Sequence, residues 1–244
     1  MYSVYSTKFY GILVSVLVLF FTTTFIEKVR AQSESTIQPS QQNAWYWQYE
    51  GQPVVLIGAS DDDNLFQWTG KELTDHLDEM ASVGGNYVRN TMSDRDEGDV
   101  YAFREIKEGT YDLDQWNKEY WNRLEFFLQE TSKRDIIVQL TLWDHFDMSG
   151  AGWDRHPLNP ANNVNMEKGV IEDKDDVYGG SLNKEIEEVL AYQRRYIDKL
   201  ISVTTQYGNV LYNINNEGSQ SREWVIIGPI ISKKKRVVMT DRFT

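Results

Sequence analysis

The sequence predicts an α/β protein whose strands form a parallel sheet, either doubly wound or closed as a (β/α)8 barrel of the TIM type. First, strand and helix patterns alternate from Trp45 onward. Second, the strand patterns are apolar throughout, which is typical of strands covered on both faces. Third, no glycine-rich phosphate-binding motif follows the first strand, where Asp61, Asp62 and Asp63 would repel a pyrophosphate. The third observation argues against a dinucleotide-binding fold, so the barrel is the expected architecture.

Short apolar segments rich in β-branched residues mark the expected strands. The first, Pro53–Gly58, reads as a strand buried on both faces. In chain order the five strands are expected at residues 54–58, 86–90, 136–142, 209–215 and 236–240. Parallel pairing between neighbours follows, because helices separate the strands along the chain.

Three amphipathic helices are expected between these strands. Thr69 begins the first, where Thr69 and Glu72 have the spacing of a capping box. Asn117 begins the second. Apolar residues at helical spacing from Ile186 onward mark the third, and Gly208 ends it. A long loop rich in Asp, Asn and Gly, roughly residues 143–182, precedes this third helix.

The N-terminal region predicts export. Residues 9–26 are almost uncharged, and Val29-Arg30-Ala31 offers the small residues that a signal peptidase reads. We therefore expect residues 1–31 to be a signal peptide cleaved after Ala31, and the protein to be secreted or periplasmic. An uncleaved membrane anchor is the alternative. Residues 32–44 are polar and are expected to form a flexible leader, and residues 45–244 are expected to form the single folded domain, a partial (β/α)8 barrel.

Composition excludes several classes of function. The chain has 25 Lys+Arg against 37 Asp+Glu, a formal net charge of -12, which disfavours binding to nucleic acid or anionic lipid. No membrane association is therefore expected after signal cleavage. Because cysteine is absent, disulfides, thiolate metal sites and Cys nucleophiles are excluded. Nothing in the sequence indicates a metal, an organic cofactor or an oligomeric state.

Polar residues follow the apolar strands at the ends where a parallel barrel carries its active site. They are Asp61–Asp63, Arg89-Asn90, Trp143–His145, Asn216-Glu217 and Asp241. A carboxyl group such as that of Glu217 can be desolvated at a barrel mouth, so that its pKa rises and it donates a proton to a leaving group. The amide of Asn216 could hold a sugar hydroxyl. Alternatively, Glu217 simply begins the next helix, where an acid suits the helix dipole.

Two short motifs and one longer segment carry a family resemblance. Gly85-Asn86-Tyr87-Val88-Arg89 resembles the second-strand motif of clan A glycoside hydrolases, and Asn216-Glu217 is similar to the acid/base motif of that clan. The segment 47–58 (WQYEGQPVVLIG) resembles the entry to the first strand in family 5 cellulase-like and apiosidase-like bacterial enzymes. The resemblance extends over residues 45–241 and follows the order of the family.

The resemblance implies hydrolysis of O-glycosyl bonds in a polysaccharide or oligosaccharide by a retaining, two-carboxylate mechanism. Glu217 would be the general acid/base and Asn216 would bind the hydroxyl beside the scissile bond. Arg89 would lie beneath the catalytic carboxylates, the alternative being a surface salt bridge. The resemblance also implies substrate contacts by the residues that end the third strand: Trp143, Asp144 and His145. For His145 a purely structural hydrogen bond is the alternative.

One part of the family pattern has no counterpart in the chain. The nucleophile of the clan is a Glu at the end of strand seven, whereas this sequence ends at Thr244, just after the fifth expected strand. A complete barrel takes about 250 residues. The expectation is therefore the first five-eighths of a barrel, with a hydrolase mechanism that is incomplete in this chain. A non-catalytic carbohydrate-binding pseudoenzyme and an inactive gene fragment are the alternatives. The sugar, the linkage and endo or exo action are not indicated.

Overall fold

The computed structural model describes part of the 244-residue chain: residues 35–177, 184 and 186–216. The expected signal peptide (1–31), the proposed acid/base Glu217 and the fifth strand (236–240) lie outside the described residues. Among the residues described, no helix is long and apolar enough to cross a membrane.

The chain divides into two compact units, Met1–Val54 and Val55–Thr244. The described part of the first unit is a small antiparallel sheet whose strands follow chain order: β1 (Gln38–Pro39), β2 (Trp47–Tyr49) and β3 (Gln52–Val54). Glu50 and Gly51 connect β2 to β3 with φ angles of 51° and 74°, the left-handed pair that a tight hairpin turn requires. The segment expected as a flexible leader (32–44) thus contains a paired strand.

The second unit contains five strands and four α-helices in its described part. The strands are β4 (Tyr87–Thr91), β5 (Phe103–Lys107), β6 (Thr110–Trp116), β7 (Ile137–Asp144) and β8 (Val210–Asn216). The helices are α1 (Gly70–Ser82), α2 (Lys118–Ser132), the single turn α3 (Gly152–Arg155) and α4 (Glu187–Thr204).

A parallel three-stranded sheet, in the order β4-β7-β8, forms the centre of this unit. It confirms the second, third and fourth expected strands and their parallel pairing. Spatial order equals chain order, without the reversal that defines a doubly wound sheet, and this agrees with the arrangement in a barrel. The described strands form an open sheet rather than a closed barrel. In the register of β7 and β8, Asp144 lies opposite Asn216.

The expected first strand (54–58) is not a regular strand. Gly58 makes an isolated parallel bridge to Tyr87 at the start of β4. Beside it, the side chain of Asn86 accepts a hydrogen bond from the amide of Ile57 (2.8 Å) and donates one to the carbonyl of Val55 (3.0 Å). The backbone amide of Asn86 also donates to the carbonyl of Ile57 (2.9 Å), so backbone and side chain of Asn86 together attach this segment to the start of β4. Burial on both faces was also a wrong prediction here, because Val55 and Ile57 are 65% and 52% exposed.

Between β4 and α2 the structure contains a hairpin that was not predicted from the sequence. Strands β5 and β6 pair antiparallel with two register irregularities, and Gly109 lies in the turn between them with a φ of 66°. The burial of β5 explains the omission. Only Phe103 of its five residues is buried, so β5 lacks the apolar pattern that marks the strands of the central sheet.

The helices begin close to their expected positions. The side-chain oxygen of Asn117 caps α2 by accepting a hydrogen bond from the amide of Glu119 (3.0 Å). Thr69 precedes α1, but its side chain makes no capping bond, so the expected capping box is wrong. The buried face of α2, centred on Leu124 and Phe127, joins one continuous apolar core with α1, α4 and the central sheet. Side chains of β4, β7 and β8, such as Val88, Leu140 and Ile214, belong to this core.

Gly85 marks a close approach between α1 and the segment that precedes β4. A Cβ atom at this position would lie 2.8 Å from the Cβ of Ala59 and 3.0 Å from the carbonyl oxygen of Met80. At Gly58, by contrast, the nearest contact would be an ordinary 3.6 Å to the ring of Tyr87. Gly85 is therefore required by space, whereas Gly58 is not.

We expect Gly85→Ala to lower the free energy of unfolding by about 1–3 kcal/mol, the usual cost of overpacking. The matched variant Gly58→Ala should change it by less than ~1 kcal/mol, since its extra methyl group has room and reduces the entropy of the unfolded chain. Urea denaturation of both variants and the parent chain gives the comparison. Equal stability of the two variants would contradict the close approach at Gly85.

Candidate functional site

Three side chains meet at the C-terminal end of the central sheet. Asn216 ends β8, Asp144 ends β7 and Arg89 lies in β4. The side-chain oxygen of Asn216 accepts a hydrogen bond from Nη2 of Arg89 (2.5 Å), and its Nδ2 donates to Oδ1 of Asp144 (3.1 Å). The parallel register places Asp144 opposite Asn216, whereas Arg89 is the middle residue of β4, paired with Gln139, and reaches Asn216 through its long side chain. Asn216 thus connects Arg89 and Asp144, and three residues predicted to serve one site lie together.

Asp144 is the carboxylate of this group, and its side chain is only 1% exposed. Its Oδ1 also accepts a hydrogen bond from the amide of Phe146 (3.0 Å), and its Oδ2 accepts one from Nη1 of Arg95 (3.0 Å). A buried carboxylate needs both a cation and hydrogen-bond donors, and Asp144 has both.

Arg95 was not singled out by the sequence, yet it connects three parts of the site. Its Nη2 donates to Asp63 (2.7 Å), and its Nη1 donates to Asp144 and to Asp147 (3.1 Å). Its guanidinium also lies 5.7 Å from the centre of the Phe146 ring, a cation–π distance. Arg95 therefore joins the loops that follow residues 55–58, β4 and β7. Arg95 lies in a loop and Asp147 in the short 3-10 helix His145–Met148. Neither segment has an apolar periodicity, so only the charge of the two residues could have drawn attention to them.

One guanidinium cannot neutralise all the carboxylates around it. Burial, with the negative charge of Asp144 adding to it, raises the pKa of Asp147 to about 7, although hydrogen bonds from Ser93 and Arg95 act in the opposite direction. Burial raises the pKa of Asp94 well above its ordinary value, and the charge of Asp147 adds to the effect. Near neutral pH this cluster therefore holds protons that exposed aspartates would have lost.

A small cavity lies beside this network. Its walls include Trp143, Asp144, Asp147, Asp94, Tyr101 and Tyr196, and it encloses about 50 Å³. This is room for a few water molecules and is far below the ~300 Å³ or more of typical ligand pockets. The ring of Trp143 packs against Tyr196 with centroids 5.1 Å apart. In the described part of the chain, Trp143 therefore forms a wall of this cavity rather than an open platform.

The remaining predicted site residues lie elsewhere. His145 begins the short 3-10 helix His145–Met148 after β7, and its Nε2 lies 3.9 Å from Oδ1 of Asp175. Glu217 directly follows the last described residue of β8 and lies outside the described residues. Within the described part, no group of three or more His, Asp or Glu side chains is arranged to hold a metal ion.

Comparison with known proteins identifies the fold. Neither the protein-family models nor the curated proteins contain a match. Solved structures do match: a glycoside hydrolase family 5 mannosidase from Rhizomucor miehei has a TM-score of 0.60 at 14% identity over 84% of this chain. An endo-1,4-β-mannanase from the same organism has a TM-score of 0.53 at 17% identity over 78%. A family 5 glycoside hydrolase from Bacteroides vulgatus has a TM-score of 0.52 at 13% identity over 86%.

These similarities confirm the expected resemblance to family 5 of clan A at the level of the fold. The chain is an α/β protein with a barrel-like arrangement of strands. It spans only part of the length of these structures: 55% of the mannosidase, 51% of the mannanase and 39% of the Bacteroides protein.

The raised pKa of Asp147 predicts a pH dependence of stability. Between about pH 4 and pH 7 the folded chain keeps a proton on Asp147 that the unfolded chain has released. The free energy of unfolding should therefore fall as the pH rises through this window, by at most about 1.4 kcal/mol per pH unit for one proton. Asp147→Asn, which cannot ionise, should show a correspondingly weaker decline in urea denaturation at pH 4.5 and 7.5.

Asp78 provides the control, because a hydrogen bond from Arg134 lowers its pKa below the ordinary value. Asp78→Asn should therefore leave the decline between pH 4.5 and 7.5 as it is in the parent chain. A decline equally steep in the parent and in Asp147→Asn would show that Asp147 is already ionised at pH 4.5.

Proposed function

We propose that this chain is a glycoside hydrolase that cleaves O-glycosyl bonds of an oligosaccharide or polysaccharide, with Glu217 as general acid/base. The observation that carries the proposal is the position of Asn216. It ends a strand of a sheet with a family 5-like fold, and two hydrogen bonds fix its amide beside Arg89 and Asp144. Glu217 follows it directly in the sequence, in the order of the acid/base motif of clan A.

In this mechanism the carboxyl group of Glu217 protonates the oxygen of the leaving group while a second carboxylate attacks the sugar. Glu217, now ionised, then removes a proton from the water molecule that releases the glycosyl group from the second carboxylate. Asn216 holds the hydroxyl beside the scissile bond. A retaining enzyme places its two catalytic carboxyl groups about 5–5.5 Å apart. We propose a continuing (β/α)8 barrel as the framework for that geometry.

Asp144 and Asp147 are poor candidates for the nucleophile. Both oxygens of Asp144 accept hydrogen bonds, from Arg95, Asn216 and the amide of Phe146. The raised pKa of Asp147 leaves it partly protonated near neutral pH, and a protonated carboxyl group does not attack. The proposal therefore assigns the nucleophile to a carboxylate outside the described residues.

Mannose-containing glycosides are the first substrates to test. Two of the similar structures are a mannosidase and an endo-1,4-β-mannanase, and a variant of the mannosidase was solved in complex with mannosyl-fructose. Trp143, Asp144 and His145 remain proposed contributors to the substrate site. We also propose that cleavage after Ala31 delivers the protein outside the cytoplasm, where a polymeric substrate would be met.

A carbohydrate-binding protein without catalysis is the second candidate. The ion pairs of Asp144 and Asp147 with Arg95 favour it, because these carboxylates bind the guanidinium and are not available to react with a substrate. The two candidates share sugar binding and differ only in turnover.

Glu217→Gln should lower the turnover of mannooligosaccharides roughly 10²–10⁴-fold, the usual contribution of a general acid. With a dinitrophenyl glycoside the loss in the glycosylation step should be much smaller, since this leaving group departs without protonation. Single-turnover kinetics with both substrates measure that step. Glu79→Gln is the matched control, because Glu79 is exposed on α1, and it should behave as the parent chain.

The outcomes separate the candidates. If Glu217→Gln were as active as the parent chain on both substrates, Glu217 would not be the general acid/base. Oligosaccharide binding in calorimetry without turnover would favour the binding protein over the hydrolase. Neither binding nor turnover with manno-, cello- and xylooligosaccharides would contradict both.

A further inference from the structure

The amide of Asn216 has two orientations that differ by a half-turn, and its neighbours permit only one. Its oxygen faces the guanidinium of Arg89, which can only donate, and its nitrogen faces the carboxylate of Asp144, which accepts. After a half-turn the NH₂ group would face the guanidinium and the oxygen would face the carboxylate, and both hydrogen bonds would be lost. The orientation of Asn216 therefore depends on Arg89 on one side and on Asp144 on the other.

Arg95 and the backbone hold Asp144 from the other side. The amide of Phe146 and Nδ2 of Asn216 both donate to Oδ1, and Nη1 of Arg95 donates to Oδ2. Two fixed oxygens define the plane of the carboxylate. Without the guanidinium, Oδ2 would lose the cation that holds it, and the carboxylate could turn away from Asn216.

Arg95 is itself held in place by further contacts. Asp63 accepts from its Nη2, while Asp147 and Ser93 accept from its Nη1. The planar guanidinium reaches these acceptors at once, which the single ammonium of a lysine cannot do with the same geometry. The contacts therefore form one chain of positioning, from Arg95 through Asp144 to Asn216.

We propose that Arg95 is a positioning residue that acts through Asp144 to fix the amide of Asn216, so that its second Nδ2 hydrogen is presented to the sugar hydroxyl beside the scissile bond. This inference rests on the proposed function. It gives Asp144 a supporting role rather than a substrate contact, in agreement with its burial. It also gives Arg95 an effect on which sugars are accepted, although Arg95 itself need not touch them.

The first test needs no sugar. The side-chain amide signal of Asn216 in a ¹⁵N spectrum is identified by its loss in Asn216→Asp. Arg95→Met should shift this signal and speed the exchange of its hydrogens with water at least roughly tenfold, because the bond to Asp144 is weakened. The matched control is Arg104→Met, since Arg104 lies on the exposed strand β5 and bonds to Gln115. It should leave the signal unchanged.

The second test measures discrimination between two substrates, one with the hydroxyl beside the scissile bond and one with hydrogen in its place. The parent chain should prefer the hydroxylated substrate in kcat/KM, or in Kd where there is no turnover, by roughly tenfold to a hundredfold. Arg95→Met should reduce this preference towards that of Asn216→Ala. The double variant Arg95→Met/Asn216→Ala should show no further reduction of the preference, since Arg95 acts on the sugar only through Asn216.

The results distinguish failure of this inference from failure of the proposed function. An unchanged amide signal in Arg95→Met overturns the inference whether or not sugars bind, and so does a loss that is equal for both substrates, as a purely structural role would give. If the parent chain binds and cleaves no sugar, the proposed function fails and the sugar-directed part of the inference fails with it. Arg95→Lys, which keeps the charge, undergoes the same measurements if Arg95→Met does not fold.

Discussion

The candidate site depends on the ion pairs that the guanidinium of Arg95 makes with three aspartates. Asp63 approaches it from the loop after residues 55–58, Asp144 from the end of β7, and Asp147 from the 3-10 helix that follows β7. Each carboxylate would repel the others without the cation between them. The sheet aligns the strand ends through backbone bonds, but it does not determine how the loops beyond those ends are arranged. A single shared cation supplies that arrangement, but burial, with the charge of Asp144 adding to it, still raises the pKa of Asp147.

A second polar side chain has a comparable role at the opposite end of the sheet. Asn86 bonds to the backbone of Val55 and Ile57 and so attaches the first segment to β4 without a regular strand. Gly85, directly before it, allows α1 and Ala59 to come close. The Gly-Asn pair that resembles the second-strand motif of clan A thus has a structural explanation in this chain. Its two residues hold the entry to β4, and Arg89, three residues further on, belongs to the site.

The sequence predicted the parts of this unit that depend on buried apolar side chains. Strands β4, β7 and β8 and the three long helices follow from periodicity, because their burial selects the residue types. The hairpin formed by β5 and β6 was not predicted, since the exposed residues of β5 carry no apolar pattern. The contact of Asp144 and Asn216 was foreseeable from their places at strand ends, whereas Arg89 lies in the middle of β4 and joins them through the length of its side chain. Arg95 was not foreseeable, because it lies in a loop and its partners are distant in sequence.

The described carboxylates separate into groups with different chemical prospects. Asp144 is buried and fully bonded, so it is fixed in place and unreactive. Asp147 is buried with less compensation, so it retains a proton near neutral pH. A reactive carboxylate must instead approach the substrate and change its protonation state during the reaction. Neither of these aspartates meets that condition. Asp144 instead bonds to the amide of Asn216, and Asp147 bonds to Arg95 and Ser93. The aspartate network therefore acts as a framework that holds the C-terminal end of the central sheet.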